Sequence, residues 1–224
     1  MKTRPGKTAA PPRRTRRPVE RPGELLVAAI DVFELHGYET SSLDDVARAA
    51  GVTKGAIYTH FESKADLLRQ AITHRLRENF ALVESLLAEE REKSPEERLE
   101  LVLRFAWDRW SSPEFARFVG LLAEVRRVVP DAVARWVDEG PVTGWSIVSR
   151  IIADGQRSGD FDAELDADAA ARLVLSGVVF QALSRVGGYE ARPRRRGRVG
   201  SSPAEVSADS ACDVARAMLR RRGR

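Results

Sequence analysis

The feature that most constrains the fold is a stripe of apolar side chains that follows Ser63 at every third or fourth position. This spacing places the side chains on one face of an α-helix. Ser63 and Asp66 stand at its start in the pattern of an N-terminal helix cap. The stripe predicts one long amphipathic helix from residue 63 to about residue 90, built on Leu68, Ile72, Leu76, Phe80, Val83 and Leu87.

The rest of the sequence after residue 22 also has helical patterning. No segment of useful length alternates apolar and polar residues, as a half-buried strand would. Cap residues, such as Ser41 or Ser42 before the second helix, and stop residues, such as Gly37 and Gly51, separate the helices. The sequence therefore predicts an all-α fold, with helices at 23–36, 43–50, 54–60, 63–90, 95–110, 113–128, 131–139, 142–157, 166–187 and 206–221.

Charge is distributed unevenly along the chain. Residues 1–21 contain eight basic residues and one acidic residue, and residues 190–224 contain ten and four. Residues 22–189 contain 19 basic and 28 acidic residues, a net charge of −9. We interpret residues 1–21 as a disordered basic arm and residues 189–203 as a mobile, Arg-rich connection. The basic pI therefore says little about what the acidic body binds.

Composition also bears on the compartment and on the chemistry. The longest apolar runs are shorter than the roughly 20 residues that cross a bilayer, and the basic N-terminus lacks the apolar part of a secretory signal. The single cysteine, Cys212, excludes an internal disulfide. These features predict a cytoplasmic protein without a membrane partner. With three histidines and no clustered metal ligands or nucleophile–base pair, we expect no catalytic residue, metal or cofactor.

Residues 22–68 predict a helix-turn-helix unit, because three short helices are joined there by tight, glycine-containing turns. The segment 43–50 is the first helix of the pair, "GVT" is the turn, and 54–60 is the candidate recognition helix. Thr53 caps this helix. Its first turn carries Lys54, Gly55 and Ala56, which are small or extendable groups suited to approaching base edges in a major groove.

The remaining side chains of this segment fall into two groups. Ile57 and Phe61 are predicted to face the core. Tyr58, His60 and Lys64 carry polar tips or charge that can reach phosphate oxygens, which would fix the register of the helix on DNA.

The segment "AAIDVFELHGYETSSLDDVARAAGVTKGAIYTHFESKADLL" (28–68) closely resembles the N-terminal DNA-binding domain of the TetR/AcrR family of bacterial transcriptional regulators. The resemblance implies that base edges are met by Lys54, Gly55, Ala56 and Thr59, with Thr53 near the groove edge. It implies phosphate contacts from Thr40, Ser42, Tyr58, His60 and Lys64. It also implies a homodimer formed through the last two long helices, 166–187 and 206–221.

The family resemblance further implies a C-terminal pocket for a small molecule that separates the two DNA-binding units when filled. We accordingly expect a helix-turn-helix domain at 22–68, joined by a long helix to an effector-binding and dimerisation domain at 69–224. Large aromatic residues outside the DNA-binding segment favour an apolar or aromatic effector. The candidate pocket residues are Phe105, Trp107, Trp110, Phe118, Trp136, Trp145 and Phe180.

The function predicted from the sequence is a ligand-responsive repressor that binds a palindromic DNA operator as a homodimer. Two alternatives remain at this stage. One is a weakly specific architectural DNA-binding protein without an effector. The other is an all-α enzyme with an appended helix-turn-helix, for which the few histidines and the single cysteine offer little support.

Overall fold

The computed structural model describes residues 22–186 and 207–220, and the structural statements below concern those residues. In that part of the chain the backbone forms helices and turns, which confirms the all-α prediction. The helices are α1 (Pro22–His36), α2 (Leu43–Ala49), α3 (Lys54–Tyr58), α4 (Lys64–Glu89), α5 (Pro95–Trp110), α6 (Pro113–Val125), α7 (Pro130–Ser158), α8 (Ala167–Val186) and α9 (Ala208–Leu219).

Most predicted helix boundaries agree with these to within a few residues, but the predicted break between 139 and 142 is wrong. The helix α7 runs through it, with Pro141 in its interior. An interior proline removes a backbone hydrogen bond and costs about 3 kcal/mol. The glycines on either side allow close packing, since a Cβ on Gly144 would lie 2.9 Å from Cδ2 of Leu175. Packing of α7 against α4 and α8 offsets the local cost of the proline.

The first hydrophobic core joins α1, α2, α3 and the first half of α4 to a helix from much later in the chain. Ile30 and Phe33 of α1 and Leu68 of α4 are buried in it. The same cluster contains Phe115 and Phe118 of α6, which are 2% and 0% exposed. Residues 22–68 therefore do not close their own core, and α6 completes it together with Ala132 and Trp136 of α7. The division into domains at residue 68 stays a prediction.

The second core is formed by the C-terminal half of α4 together with α5, α7, α8 and α9. One of its helices, α8, contains an 18-residue stretch, Ala167–Ser184, that by length and composition alone is apolar enough to cross a membrane. Buried α8 side chains such as Ala171 and Ala182 pack inside this bundle. Other apolar side chains of α8 remain exposed, including Leu173 and Phe180, at 65% and 67%.

The basic arm 1–21 and the Arg-rich connection 189–203 both lie outside the described residues.

Candidate nucleic-acid interface and effector cavity

The start of α2 is fixed by a reciprocal cap between Ser42 and Asp45. The Ser42 backbone N–H donates to Asp45 Oδ2 at 2.9 Å, and the Asp45 backbone N–H donates to Ser42 Oγ at 3.3 Å. Hydrogen bonds from Ser42 and, secondarily, from Arg48 lower the pKa of Asp45 from 3.8 to about 2. The cap orients the first turn of α2, where the sequence predicted contacts with the DNA backbone.

The turn into α3 is built from residues close together in the sequence. Gly51 adopts a φ of 71°, a left-handed conformation that glycine enters without strain. Val52 is buried behind it, and Thr53 caps α3 by accepting a hydrogen bond from the Ala56 backbone N–H at 3.2 Å. The predicted "GVT" turn and the predicted Thr53 cap are thus both present in the structure.

The helix α3 has one buried and one exposed side. Ile57 is 1% exposed and Phe61, just beyond the helix, is 3% exposed, so both lie in the core as predicted. Tyr58 is 53% exposed, and Thr59 and His60 lie on the surface beside it. The outward side of α3 therefore carries polar groups, while its inward side is fixed in the core by Ile57 and Phe61.

Lys54 is held by an acidic neighbour that the sequence analysis did not consider. Its Nζ lies 2.9 Å from Oδ2 of Asp44 on α2, and this hydrogen bond raises the pKa of Lys54. Both side chains are about half exposed, so the pair is a weak surface interaction. Gly55 is exposed and Ala56 half-buried next to Lys54. A competing phosphate or base edge can reach the lysine once it leaves Asp44.

Lys64 points toward the protein rather than away from it. Its Nζ donates a hydrogen bond to the Tyr38 backbone carbonyl and lies 4.1 Å from the centroid of the Tyr38 ring. It also lies 5.9 Å from the centroid of the Phe33 ring. A phosphate contact by Lys64 therefore requires the side chain to leave this cation–π site. Thr40, another predicted phosphate ligand, is exposed and donates its hydroxyl to the His36 carbonyl.

A residue of α6 holds the turn between α1 and α2, and the sequence analysis missed it. Glu124 accepts hydrogen bonds from the backbone N–H groups of Tyr38 at 2.9 Å and Glu39 at 3.3 Å. Nearby, Arg75 Nη1 of α4 lies 3.3 Å from the buried Glu34 carboxylate, whose pKa is raised by burial. These partners are 41 to 86 residues apart, so no local sequence signal could reveal them.

A cavity of about 290 Å³ lies between α4, α5, α7 and α8; we call it the aromatic cavity. It is lined by five of the seven aromatic residues predicted for the effector pocket: Phe105, Trp110, Trp136, Trp145 and Phe180.

The structure does not place the other two predicted residues in the lining. Trp107 is 6% exposed in the second core, and it lies two residues after Phe105, a turn of about 200° around α5. Phe118 is fully buried in the first core, with its ring centroid 4.6 Å from that of Trp136. Phe118 therefore supports a wall of the aromatic cavity from outside.

Among the described residues, the lining of the aromatic cavity contains no charged side chain. Its polar side chains, apart from the indole nitrogens, are Asn79 and Ser176. Asn79 Oδ1 accepts a hydrogen bond from Nε of Arg109 at 3.1 Å, so the amide is already oriented by a residue behind the wall. Such a cavity suits an uncharged apolar or aromatic group with at most one or two polar anchors.

Comparison with known proteins identifies the family. Residues 25–71 match the family described as "Bacterial regulatory proteins, tetR family". The transcriptional repressor BepR of Brucella suis biovar 1 is 30% identical over 157 residues, which cover 68% of this chain and 74% of BepR. The chain belongs to the TetR family. This confirms the resemblance read from residues 28–68.

Other relatives match this TetR-family chain over shorter stretches. The regulators TtgW and SrpR of Pseudomonas putida are each 39% identical over 69 residues, which is 31% of this chain. Those residues make up 47% of TtgW and 30% of SrpR, so the chain spans less than half the length of these two relatives. The relatives named here are transcriptional regulators rather than enzymes.

Among solved structures, the regulator FadR of Bacillus subtilis in complex with stearoyl-CoA superposes with a TM-score of 0.61. The match covers 88% of this chain and 98% of FadR at 19% identity. At that identity the likeness shows the fold alone, which is the all-helical architecture of a TetR-family regulator.

Proposed function

We propose that this TetR-family chain is a ligand-responsive repressor that binds a palindromic operator as a homodimer and is released by a small apolar or aromatic effector. The observation that carries the proposal is the two-sided construction of α3. Ile57 and Phe61 fix the helix to the core, while the exposed side presents Tyr58, Thr59 and His60. A rigid helix with polar groups outward can enter a major groove with its register set by phosphate contacts.

On DNA, the contacts divide by chemistry. Tyr58 and His60 bind phosphates, as do Thr40 and Ser42 near the start of α2 and Lys64 once it leaves Tyr38. Base edges are met by Lys54, Gly55, Ala56 and Thr59, with Thr53 at the groove edge. On binding, Lys54 leaves Asp44 and contacts DNA instead. Losing the Lys54–Asp44 ion pair costs little free energy, because both side chains are about half exposed.

The homodimer forms through α8 and α9. Leu173 and Phe180 of α8 are 65% and 67% exposed, and Val214 and Met218 of α9 are 59% and 49% exposed. Exposed apolar side chains on two adjacent helices mark a surface for association. A two-fold axis at this surface gives two copies of α3 and hence a palindromic operator, with half-sites about 34 Å apart or a multiple of that spacing.

The effector occupies the aromatic cavity, and two links connect this cavity to the N-terminal helices. Trp136 lies in the cavity wall and packs on Phe118 of α6. The same helix holds the α1–α2 turn through Glu124. An effector that moves α6 therefore shifts the turn before α2, and it favours release if it binds the DNA-incompetent arrangement more tightly. In this proposal residues 22–68 form the DNA-binding domain and residues 69–224 the effector and dimerisation domain.

A gel-shift titration on the DNA that flanks the protein's own gene tests the proposal. We expect a discrete shifted species with the flanking DNA and a much weaker one with a scrambled fragment, over a range of salt concentrations. Equal binding to both fragments with a steep salt dependence would instead identify a weakly specific architectural DNA binder. Absence of any shift would reject DNA-binding regulation as the function.

A further inference from the structure

A second cleft, of about 520 Å³, lies beside the aromatic cavity between the C-terminal half of α4, the start of α5 and α7; we call it the arginine cleft. Its charged lining residues are four arginines and two carboxylates, which leaves a surplus of two positive charges. Residues 22–189 as a whole have a net charge of −9. A basic cleft on an acidic body concentrates anions locally. The charged residues are Arg91, Arg98, Arg150, Arg157, Glu84 and Asp154.

The guanidinium groups of the arginine cleft are incompletely satisfied. Asp154 is shared between two of them: its Oδ2 lies 3.0 Å from Nη1 of Arg98, and it also pairs with Arg157. Nε of Arg98 is buried and has no hydrogen-bond partner among the described residues. Arg98 and Arg157 therefore share one carboxylate, which leaves part of their hydrogen-bonding capacity unused.

The other two arginines have still weaker partners. Arg150 Nη2 lies 3.9 Å from Oε1 of Glu84, and both side chains are about two-thirds exposed. Arg91, just beyond the end of α4, forms no ion pair with any described residue. Nε of Arg150 donates a long hydrogen bond to the Ser146 carbonyl at 3.4 Å. The remaining donors of the two arginines are available to carboxylate or phosphate oxygens, which guanidinium groups bind in a bidentate manner.

The arginine cleft and the aromatic cavity share a lining residue. Ile147 of α7 lines both. On α4 the two sites are adjacent as well, since Val83 lines the cavity and Glu84 lines the cleft. The described residues that line the aromatic cavity are uncharged and offer no counter-charge to an anionic group on a ligand, whereas the arginine cleft next to it does.

We propose that the arginine cleft binds the phosphate or carboxylate group of an amphipathic effector whose apolar part occupies the aromatic cavity. The effector would then be an anionic amphiphile rather than a neutral apolar compound. This inference rests on the proposed function only in treating the aromatic cavity as the effector site. A free anion has the same headgroup chemistry, so the experiment includes it as a separate arm.

The test is isothermal titration calorimetry without DNA, using octyl phosphate, octanol and inorganic pyrophosphate on the full chain. We expect octyl phosphate to bind about tenfold more tightly than octanol, from charge-assisted hydrogen bonds that octanol cannot make. Arg91→Gln combined with Arg150→Gln should abolish this difference, and so should Arg98→Gln. Arg135→Gln, an exposed arginine on α7 that does not line the cleft, should preserve it.

Tryptophan fluorescence gives a second readout, because Trp110, Trp136 and Trp145 line the aromatic cavity. The variants should still show a fluorescence change with octanol, which demonstrates that they are folded and that the cavity is intact. Equal affinity for octyl phosphate and octanol in the wild type would overturn the proposal. If pyrophosphate bound as tightly as octyl phosphate and this binding depended on the arginines, the proposal that the ligand is an amphiphile would be overturned. Since no DNA is present, a failed gel shift would leave these results unaffected.

Discussion

The carboxylate of Glu124 on α6 accepts a hydrogen bond from the backbone N–H of Tyr38 at 2.9 Å, across 86 residues of sequence. This contact ties the turn between α1 and α2 to α6, which also packs against α7 and α8. The backbone carbonyl of Tyr38 is in turn bound by Lys64 at the start of α4. Tyr38 is therefore the point at which α1, α4 and α6 are held together.

Removing the Glu124 carboxylate should destabilise the protein and weaken operator binding together. We expect Glu124→Ala to lower the free energy of unfolding by about 1–3 kcal/mol, because the backbone N–H groups of Tyr38 and Glu39 lose their acceptor. Chemical denaturation and gel shift measure the two effects. Glu92→Ala, at an exposed position outside the helices, is the control. Unchanged stability in Glu124→Ala would mean that water replaces the contact without loss.

Releasing Lys54 from its acidic neighbour should strengthen DNA binding. Asp44→Asn removes the ion pair and a negative charge beside the residues proposed to face the groove, so we expect a several-fold gain in affinity for operator DNA. Lys54→Ala should have the opposite effect and alter the sequence preference. Fluorescence anisotropy at fixed salt measures both. Weaker binding by Asp44→Asn would show that Asp44 itself contacts a base or orients α2.

The cap of α2 makes part of the stability depend on pH. The folded-state pKa of Asp45 is lowered to about 2, so its contribution is complete above the unfolded pKa of about 4 and is lost as pH falls through about 2. Asp45→Ala should therefore be less stable than the wild type at neutral pH, and the two unfolding curves should converge on acidification. A stability difference between wild type and Asp45→Ala that stays constant down to pH 2 would contradict the lowered pKa of Asp45.

Charge introduced on the exposed face of α8 should prevent dimer formation. We expect Leu173→Glu to run as a monomer in analytical ultracentrifugation and to lose operator binding, because the substitution places a carboxylate in an apolar interface. Leu35→Glu, at a position 70% exposed on α1, should stay dimeric. A dimeric Leu173→Glu variant would place the interface elsewhere.

In the candidate DNA-binding site, the features that could be predicted are those formed by residues close together in the sequence. The turn at Gly51, the Thr53 cap and the burial of Ile57 all depend on residues within a few positions of each other. The fold class followed from the same local patterns. The inward position of Lys64 could not be predicted from local patterns, because its partner Tyr38 is 26 residues away.

The other differences between the sequence-based predictions and the structure arise from tertiary packing. Pro141 has the local signature of a helix break, but close contacts of Gly144 with α8 keep α7 continuous. The aromatic residues of α5 and α6 were predicted as a set, whereas packing selects which side of each helix meets the cavity. Phe105 and Trp110 line it, and Trp107 and Phe118 do not. The arginine cleft is assembled from three helices and has no signature in any one of them.

We propose that the outward side of α3 contacts the base edges of DNA in a two-fold symmetric complex. DNase I footprinting on the DNA flanking the protein's own gene tests it most directly. We expect one protected segment with dyad symmetry, lost in Lys54→Ala and weakened in Tyr58→Phe at unchanged position. Protection without dyad symmetry, or a footprint that neither substitution affects, would contradict it.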